Sequence, residues 1–164
     1  MDHLWTPWRF SYVEGSANAT ACPFCQLQTE EVGRQNLILR HENHNYILLN
    51  KFPYTTGHLM VVPHRHVASL RDAATEELQE LVVLSRSCES ILHRVYQPDG
   101  FNIGLNVGKS SGAGVAGHIH LHVVPRWHGD SNFISVISET RILPEDLQGV
   151  YEKLLPYFQK QFGV

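Results

Sequence analysis

Residues 118–124 of the chain read HIHLHVV, with histidine at every second position and an aliphatic residue in each gap. Residues two apart in a β-strand share a face, so the run predicts a strand with its histidines on one side and its aliphatic side chains on the other. An exposed polar face would give the same alternation, but histidine is an unusual choice for it three times over. The run therefore predicts one face in the core and one face that carries chemistry.

A single metal ion does not account for all three histidines. At a rise of about 3.3 Å per residue, the Cα atoms of His118 and His122 lie roughly 13 Å apart, whereas zinc ligand atoms sit about 2 Å from the metal. One or two of the rings remain available to a metal. Nucleophilic catalysis is a further alternative, in which an imidazole attacks phosphorus while its far nitrogen is held by an acceptor. His120, which has a histidine on either side, is the candidate nucleophile.

Length and composition indicate an ordinary single domain, residues 1–164, with 43% apolar residues to build its core. The formal charge is −3, and Lys and Arg never form a block. These features argue against a nucleic-acid partner or an anionic membrane surface. Neither a secretory leader pattern nor an apolar stretch of roughly 18 residues occurs, so we expect a cytoplasmic protein with no membrane partner.

Periodicity predicts two hairpins, each followed by a helix. The four predicted strands are residues 45–50, 58–63, 101–108 and 118–127. A long amphipathic helix is predicted from an N-cap at Thr75 to Val95, with apolar residues three or four apart. A second helix is predicted to open at Pro144, with Glu145 and Asp146 in its first turn, and to kink or end at Pro156.

This order of elements predicts an α+β fold, with helices packed on an antiparallel sheet. We expect an irregular N-terminal arm over residues 1–36, the core over 37–127 and a C-terminal extension over 128–164. The loop before the histidine run is rich in glycine, which lets backbone N–H groups approach an anion closely. A phosphate group is therefore the expected ligand of that loop. Its glycines are Gly108, Gly112, Gly114 and Gly117.

The run HIHLHVV resembles the signature of the histidine triad (HIT) superfamily of nucleotide-binding hydrolases and transferases, His-φ-His-φ-His-φ-φ with φ apolar, at all seven positions. Other stretches are similar to its branch of diadenosine polyphosphate phosphorylases. They are HLWTPWR, FPYTTGHLMVVPHRHV, GFNIGLNVG and HVVPRWHGDSNF. The resemblance implies a sheet of about five antiparallel strands with a long helix, assembled as a homodimer.

The resemblance also implies roles for individual residues. His120 matches the nucleophile that attacks the α-phosphorus, His122 the histidine that bonds a phosphate oxygen, and His118 a supporting histidine. Asn50 matches the ribose-contacting residue, His58 a further active-site histidine and Asn106 a residue that reaches the phosphates.

The chain departs from many relatives in the loop before the triad. Gly114 and Val115 stand where Gln and Ser or Thr are common, and the loop is one residue longer. Contact with the phosphates is therefore expected from backbone N–H groups, with Lys109, Ser110, Ser111 and Gly112 as further candidates. Trp127, directly after the triad strand, is a candidate for contact with the base or phosphate edge.

Cys22 and Cys25 have the spacing of half a tetrahedral zinc site, although two packed cysteines would show the same spacing. In some triad relatives, including galactose-1-phosphate uridylyltransferases, two histidines close such a site. The resemblance assigns that role here to His118 and His66, with His64 and His44 as alternatives. A structural zinc ion is the cofactor expected, and no catalytic cofactor is required.

The sequence thus predicts a nucleotidyltransferase or hydrolase that cleaves a nucleoside polyphosphate through a covalent nucleotidyl-histidine. Diadenosine tetraphosphate, cleaved by inorganic phosphate to ADP and ATP, is the favoured reaction. Hydrolysis of dinucleoside polyphosphates or of nucleoside phosphoramidates is the alternative within the same chemistry. A non-catalytic nucleotide sensor and a zinc-stabilised interaction module are alternatives from other classes.

Overall fold

The computed structural model describes residues 21–130 and 145–163 and is built around one antiparallel sheet. Its five strands lie in the spatial order β1-β2-β3-β5-β4. They are β1 (Ile38–His41), β2 (Asn45–Leu49), β3 (Leu59–Pro63), β4 (Gly100–Leu105) and β5 (Leu121–Arg126). With the helices described below, this arrangement confirms the predicted α+β class.

Both predicted hairpins form, since β2 pairs with β3 and β4 pairs with β5, each antiparallel. Strand β1 has no counterpart among the strands that periodicity predicts. Its register shifts between Ile38 and Arg40, and Leu37 just before it adopts a left-handed φ of 63°. A bulge of this kind breaks the alternation from which a strand is recognised.

The long helix α2 (Thr75–Tyr96) packs on the face of the sheet that carries the aliphatic residues of the histidine run. Its N-cap is Ala74, so the prediction of Thr75 as the cap was wrong by one residue. Alanine has no side-chain acceptor for the first N–H groups of the helix. The carboxylate of Glu77, at the third helical position, accepts from the Ala74 N–H at 2.6 Å, which is the other half of a capping box.

The C-terminal helix α3 (Leu147–Phe162) continues through Pro156, which was predicted to kink or end it. Proline removes one backbone hydrogen bond, but Leu154 and Phe158 on either side of it are fully buried in the core. Asp146 is the N-cap, accepting from Gly149 N–H at 2.8 Å, so the helix begins after the acidic pair that was predicted in its first turn. Pro144 lies outside the described residues.

The opposite face of the sheet carries a second, smaller apolar cluster. A short helix α1 (Pro23–Leu27) covers this face, where the sequence predicted irregular structure. The buried members of this cluster are Phe24, Ile38, Tyr46, Leu48, Met60 and Val62. Because both faces of the sheet are covered at β2 and β3, these two strands read as nearly continuous apolar runs rather than as alternating ones.

Candidate active site and metal site

The three histidines share the face covered by α1, although β5 itself begins at Leu121, after the first two of them. Leu121 and Val123 point into the core beneath α2. His118, His120 and His122 are all buried, at 0%, 5% and 9% exposure. The predicted division into an aliphatic face and a histidine face is confirmed.

The ring of His120 is held by its own chain. Its Nδ1 lies 2.9 Å from the carbonyl oxygen of His118, and a carbonyl only accepts, so Nδ1 carries the proton. The neutral ring therefore presents Nε2 with a free lone pair. Burial lowers the pKa of His120 below its usual range, which keeps this nitrogen unprotonated at neutral pH.

His122 is held in the opposite tautomer through a relay of two rings. The Tyr54 N–H donates to His58 Nδ1 at 3.1 Å, so the proton of His58 sits on Nε2. That nitrogen lies 2.9 Å from His122 Nδ1 and donates to it. His122 consequently carries its own proton on Nε2, where it can donate to a ligand. The Asn50 amide lies 3.3 Å from His58 Nδ1 and supports the same assignment.

His120 and His122 thus form a pair with complementary nitrogens. Their ring centroids are 4.8 Å apart and their planes are inclined at 74°. Burial, with a smaller contribution from His120, lowers the pKa of His122 to about 4. One ring offers a lone pair and the other an N–H, which is the combination needed to attack phosphorus and to bind its oxygen.

His118, on the same face, belongs to a second site. Its Nε2 donates to the carbonyl of Pro63 at 2.9 Å, which leaves Nδ1 with a free lone pair. This Nδ1 lies 3.4 Å from Cys22 Sγ and 3.6 Å from Cys25 Sγ. A hydrogen bond to the far nitrogen is the usual way in which a metal-binding histidine is oriented.

Cys22, Cys25, His66 and His118 bring one ligand atom each within 4.8 Å of one another. Cys25 Sγ is also 3.2 Å from His66 Nδ1. Ligands about 2.0–2.3 Å from a tetrahedral zinc ion stand roughly 3.3–3.8 Å apart. The three cysteine–histidine distances of 3.4, 3.2 and 3.6 Å are close to this range, and the widest pair of the group is within 4.8 Å. The four side chains therefore fit a metal ion of the Cys₂His₂ type. His64 binds the Glu42 carbonyl instead, at 2.9 Å.

The remaining predicted residues lie just after β4, in the loop before the triad, and directly after β5. Gly104 pairs with His122, and Asn106, two residues further along, lies one position past the end of β4. Lys109–Ser111 form a single 3-10 turn, bounded by Gly108 and Gly112 with left-handed φ values of 83° and 84°. Trp127 is half-buried, and its backbone N–H donates to Asp130 Oδ2 at 3.2 Å.

Sequence reasoning missed two aromatic residues that contact the histidines. Phe24, between the two cysteines, lies with its ring centroid 4.9 Å from that of His120 and 5.5 Å from that of His118. Tyr54 lies 4.8 Å from His58 and 6.0 Å from His122. Position is their only signal in the sequence. Phe24 lies within the C-x-x-C pair, and Tyr54 precedes His58 by four residues.

Comparison with known proteins identifies the family. The family profile described as HIT domain matches residues 33–129. The AP-4-A phosphorylase of Mycobacterium tuberculosis is 37% identical over 172 residues, which cover 98% of this chain and 86% of that protein. The asymmetrical bis(5'-nucleosyl)-tetraphosphatase of Schizosaccharomyces pombe is 33% identical over half of this chain and 44% of its own length. The chain belongs to the HIT domain family, as the histidine run predicted.

Solved structures agree in fold. A zinc-bound histidine triad family protein from Mycobacterium smegmatis superposes with a TM-score of 0.68 at 26% identity, covering 90% of this chain and 98% of its own. A diadenosine triphosphate hydrolase of Plasmodium falciparum gives 0.64 at 18% identity, over 94% and 97%. The predicted HIT-like fold is confirmed.

Proposed function

We propose that the protein is a nucleotidyltransferase that cleaves diadenosine tetraphosphate with inorganic phosphate, through an adenylyl group carried on His120. The observation that carries the proposal is the His120 ring, whose Nδ1–H is bound to a backbone carbonyl at 2.9 Å while its Nε2 lone pair is free. The likeness over nearly the whole chain to a protein named AP-4-A phosphorylase supports the choice of substrate.

In the first step, Nε2 of His120 attacks the α-phosphorus, the phosphorus atom of the substrate that is bonded to one of its two adenosines. A P–N bond forms, the P–O bond to the rest of the substrate breaks, and ATP leaves with the electron pair of that bond. The Nε2–H of His122 donates to an oxygen of the phosphoryl group as charge develops on it, so His122 is placed where such a donor stabilises the transition state. The scheme draws on side-chain and backbone donors rather than on a catalytic metal.

In the second step, an oxygen of inorganic phosphate attacks the adenylyl phosphorus, the P–N bond breaks and ADP forms. His120 recovers the lone pair on Nε2, so the enzyme is unchanged after the cycle. The turn formed by Lys109, Ser110 and Ser111, with Gly112 and Gly114 after it, is the proposed phosphate-binding element, because turns of this kind direct backbone N–H groups at anions. The Ser111 hydroxyl already donates to Gly108 O at 2.7 Å, so its oxygen can only accept a hydrogen bond. The contact with phosphate is therefore assigned to backbone N–H groups of the turn rather than to this hydroxyl.

Around the reacting phosphorus, we assign the rest of the site by position. Asn50 follows β2 and would contact the ribose, and His58 orients His122 through the relay described above. Asn106, just past the end of β4, would contact the phosphates. Trp127 would border the base or the phosphate edge.

Zinc is the metal proposed for Cys22, Cys25, His66 and His118, because two thiolates and two imidazoles in a compact tetrahedral set suit it best. Bound there it would be structural, tying α1 to β3 and to the triad strand. Its ligand His118 would be fixed, and with it the carbonyl that holds His120.

A second copy of the chain is the proposed protein partner. Among the residues that the structure describes, strand β4 pairs only with β5, and its Ile103 is 43% exposed, so an open strand edge and an apolar side chain lie together there. A sheet edge of this kind is a ready template for pairing with another chain. No helix of the described residues is long and apolar enough to cross a membrane. A cytoplasmic location, and a nucleotide rather than a nucleic acid as the ligand, complete the proposal.

The test is product analysis after incubation with diadenosine tetraphosphate, with and without millimolar phosphate. ADP plus ATP formed only with phosphate would establish phosphorolysis. AMP plus ATP formed in both tubes would replace phosphorolysis by hydrolysis while leaving the His120 chemistry intact. An absence of turnover with this substrate and with adenosine phosphoramidate would contradict the enzymatic proposal and favour a nucleotide sensor. His93→Ala, an exposed helical histidine outside the site, is the matched control and should behave as the unmodified protein does.

A further inference from the structure

We infer that Phe24 is a positioning residue for His120, and that the metal site acts on the reaction through it. This inference rests on the proposed function of His120 but concerns a residue to which that function assigns no role. The juxtaposition behind it is simple: Phe24 lies between the two cysteine ligands in the chain, and its ring lies against the candidate nucleophile in space.

The contacts of Phe24 connect the two sites directly. Its ring is 6% exposed and tilted at 45° to the His120 ring, with the centroids 4.9 Å apart. The same ring meets His118 edge-on, at 73° and 5.5 Å. Ring pairs at such separations and angles fall in the favourable range for aromatic contacts. Phe24 therefore packs at once on a metal ligand and on the nucleophile.

A lateral contact of this kind restricts the His120 ring further than its hydrogen bond does. The bond from Nδ1 to the His118 carbonyl sets which nitrogen is protonated and limits rotation of the ring, and packing against its faces limits the remaining tilt. His122 touches the ring from one side, at 4.8 Å and 74°. Phe24 supplies a second contact, which restricts the direction in which the Nε2 lone pair points.

Phe24 in turn is held by its backbone at three points. Cys22 and Cys25, on either side of it, are fixed when the metal binds. The carbonyl of Phe24 accepts the Tyr46 hydroxyl at 2.9 Å, and the Tyr46 ring lies against the rings of His41 and His64, with centroid distances of 5.6 and 5.4 Å. Helix α1 has only five residues, too few to be stable alone, so without the metal the Tyr46 bond and the apolar cluster are left to hold it.

The consequence is that metal loss and truncation of Phe24 should damage the same property, the orientation of His120. A misplacement of about 1 Å at a reacting group can cost on the order of a hundredfold in rate. Two changes that act through one contact are not additive: once the contact is gone, the second change adds little. Nucleotide binding, which draws on other residues, should change less than turnover.

The experiment compares the zinc-loaded full chain with Phe24→Ala, Phe24→Leu and the matched control Leu27→Ala, before and after removal of zinc by a chelator. Leu27 lies on the same helix and packs on the same apolar cluster, but follows the second cysteine. Four quantities are measured: bound zinc, kcat and KM for diadenosine tetraphosphate, and the rate at which diethyl pyrocarbonate labels His120, mapped by mass spectrometry. The labelling rate needs no substrate, so it tests the inference even if the proposed reaction fails.

For Phe24→Ala we expect retained zinc, kcat lowered about tenfold or more with KM within about threefold, and faster labelling of His120. Zinc removal from the unmodified protein should give the same changes, and zinc removal from Phe24→Ala should add less than about twofold. Phe24→Leu should recover part of the loss, and Leu27→Ala should stay within about twofold of the unmodified protein in kcat and labelling.

Several results would overturn the inference. A raised KM with kcat and labelling unchanged would make Phe24 a wall of the nucleotide pocket only. Unchanged kcat and labelling after zinc removal from the unmodified protein would separate the metal from His120 without any variant. Losses that multiply, rather than overlap, in the zinc-free Phe24→Ala protein would show two independent effects.

Discussion

His118 and His120 are two residues apart on one face of the sheet, yet their reactive nitrogens differ. At His118 the Nε2–H is bound to the Pro63 carbonyl, and Nδ1 is left for a metal. At His120 the Nδ1–H is bound to the His118 carbonyl, and Nε2 is left for phosphorus. The difference teaches that a backbone acceptor, rather than the residue type, decides which chemistry each ring of the run can perform.

The largest expected effect follows from removing the His120 ring, the candidate nucleophile. His120→Ala should lower turnover of diadenosine tetraphosphate by at least about a thousandfold, because no other ring presents a free lone pair at that position. Nucleotide affinity should stay within about tenfold, or roughly 1.4 kcal/mol, since binding draws on other contacts. Rate assays and equilibrium dialysis measure the two quantities. Substantial residual turnover would place the nucleophile elsewhere.

The next largest effect is expected from removing one of the four proposed metal ligands. Cys25→Ser should abolish stoichiometric zinc and lower stability by about 3 kcal/mol or more, or roughly 6–12 °C in Tm, because metal binding contributes to folding free energy. Metal analysis and thermal unfolding measure both. Cys88→Ala is the matched control, since that cysteine is fully buried in the core and should cost stability without changing zinc content. Equal zinc content in all three proteins would refute the assigned ligands.

The third effect is a dependence of stability on pH. His122 has a pKa of about 4 in the folded protein, against about 6.5 when unfolded. Between these two pH values His122 is protonated in the unfolded chain but not in the folded protein. Its contribution to stability is therefore complete above pH 6.5 and falls as the pH drops towards 4, by about 3 kcal/mol in all.

Replacement of His122 by a residue that does not titrate should remove this loss. His122→Gln should lose less stability than the unmodified protein between pH 7 and pH 4.5, by about 2–3 kcal/mol. Both proteins keep the metal ligands, so release of metal in acid cancels in the comparison. Denaturant unfolding at the two pH values gives the difference, and parallel losses in both proteins would show that His122 is not the group responsible.

The smallest effect concerns the hydrogen bond between helix α1 and strand β2. Tyr46→Phe keeps the ring stack but removes the hydroxyl bound to the Phe24 carbonyl, which should cost about 1 kcal/mol. Because that bond holds the helix between the two cysteines, zinc affinity should fall with it, by up to about fivefold. Competition with a chromogenic chelator measures the affinity. An unchanged affinity would mean that the metal site is held without Tyr46.

The sequence was most informative where one pattern fixes one geometry. The alternation of residues 118–124 predicted the two faces of the triad strand. The C-x-x-C spacing predicted half of a metal site, and the family resemblance supplied His66 and His118, which the structure brings together with the two cysteines. The tautomers of His118 and His122 could not be predicted, because they depend on the Pro63 carbonyl and on the His58 ring, which come from other parts of the chain. His58 acts on His122 across 64 residues of sequence.

Other features escaped prediction for equally specific reasons. Strand β1 is bulged, and Pro156 lies in a helix that the buried Leu154 and Phe158 hold together. Phe24 has no pattern of its own. The division of the chain into an arm, a core and an extension stays a prediction, because residues 1–20 and 131–144 lie outside the described part.

The central claim, a covalent adenylyl group on His120, is tested most directly by the stereochemistry of the reaction at phosphorus. A substrate made chiral at the attacked phosphorus by sulfur and oxygen isotopes would be converted, and the configuration of the product determined. Two in-line displacements invert twice, so the account predicts net retention. Net inversion would mean a single direct displacement and would contradict the covalent intermediate.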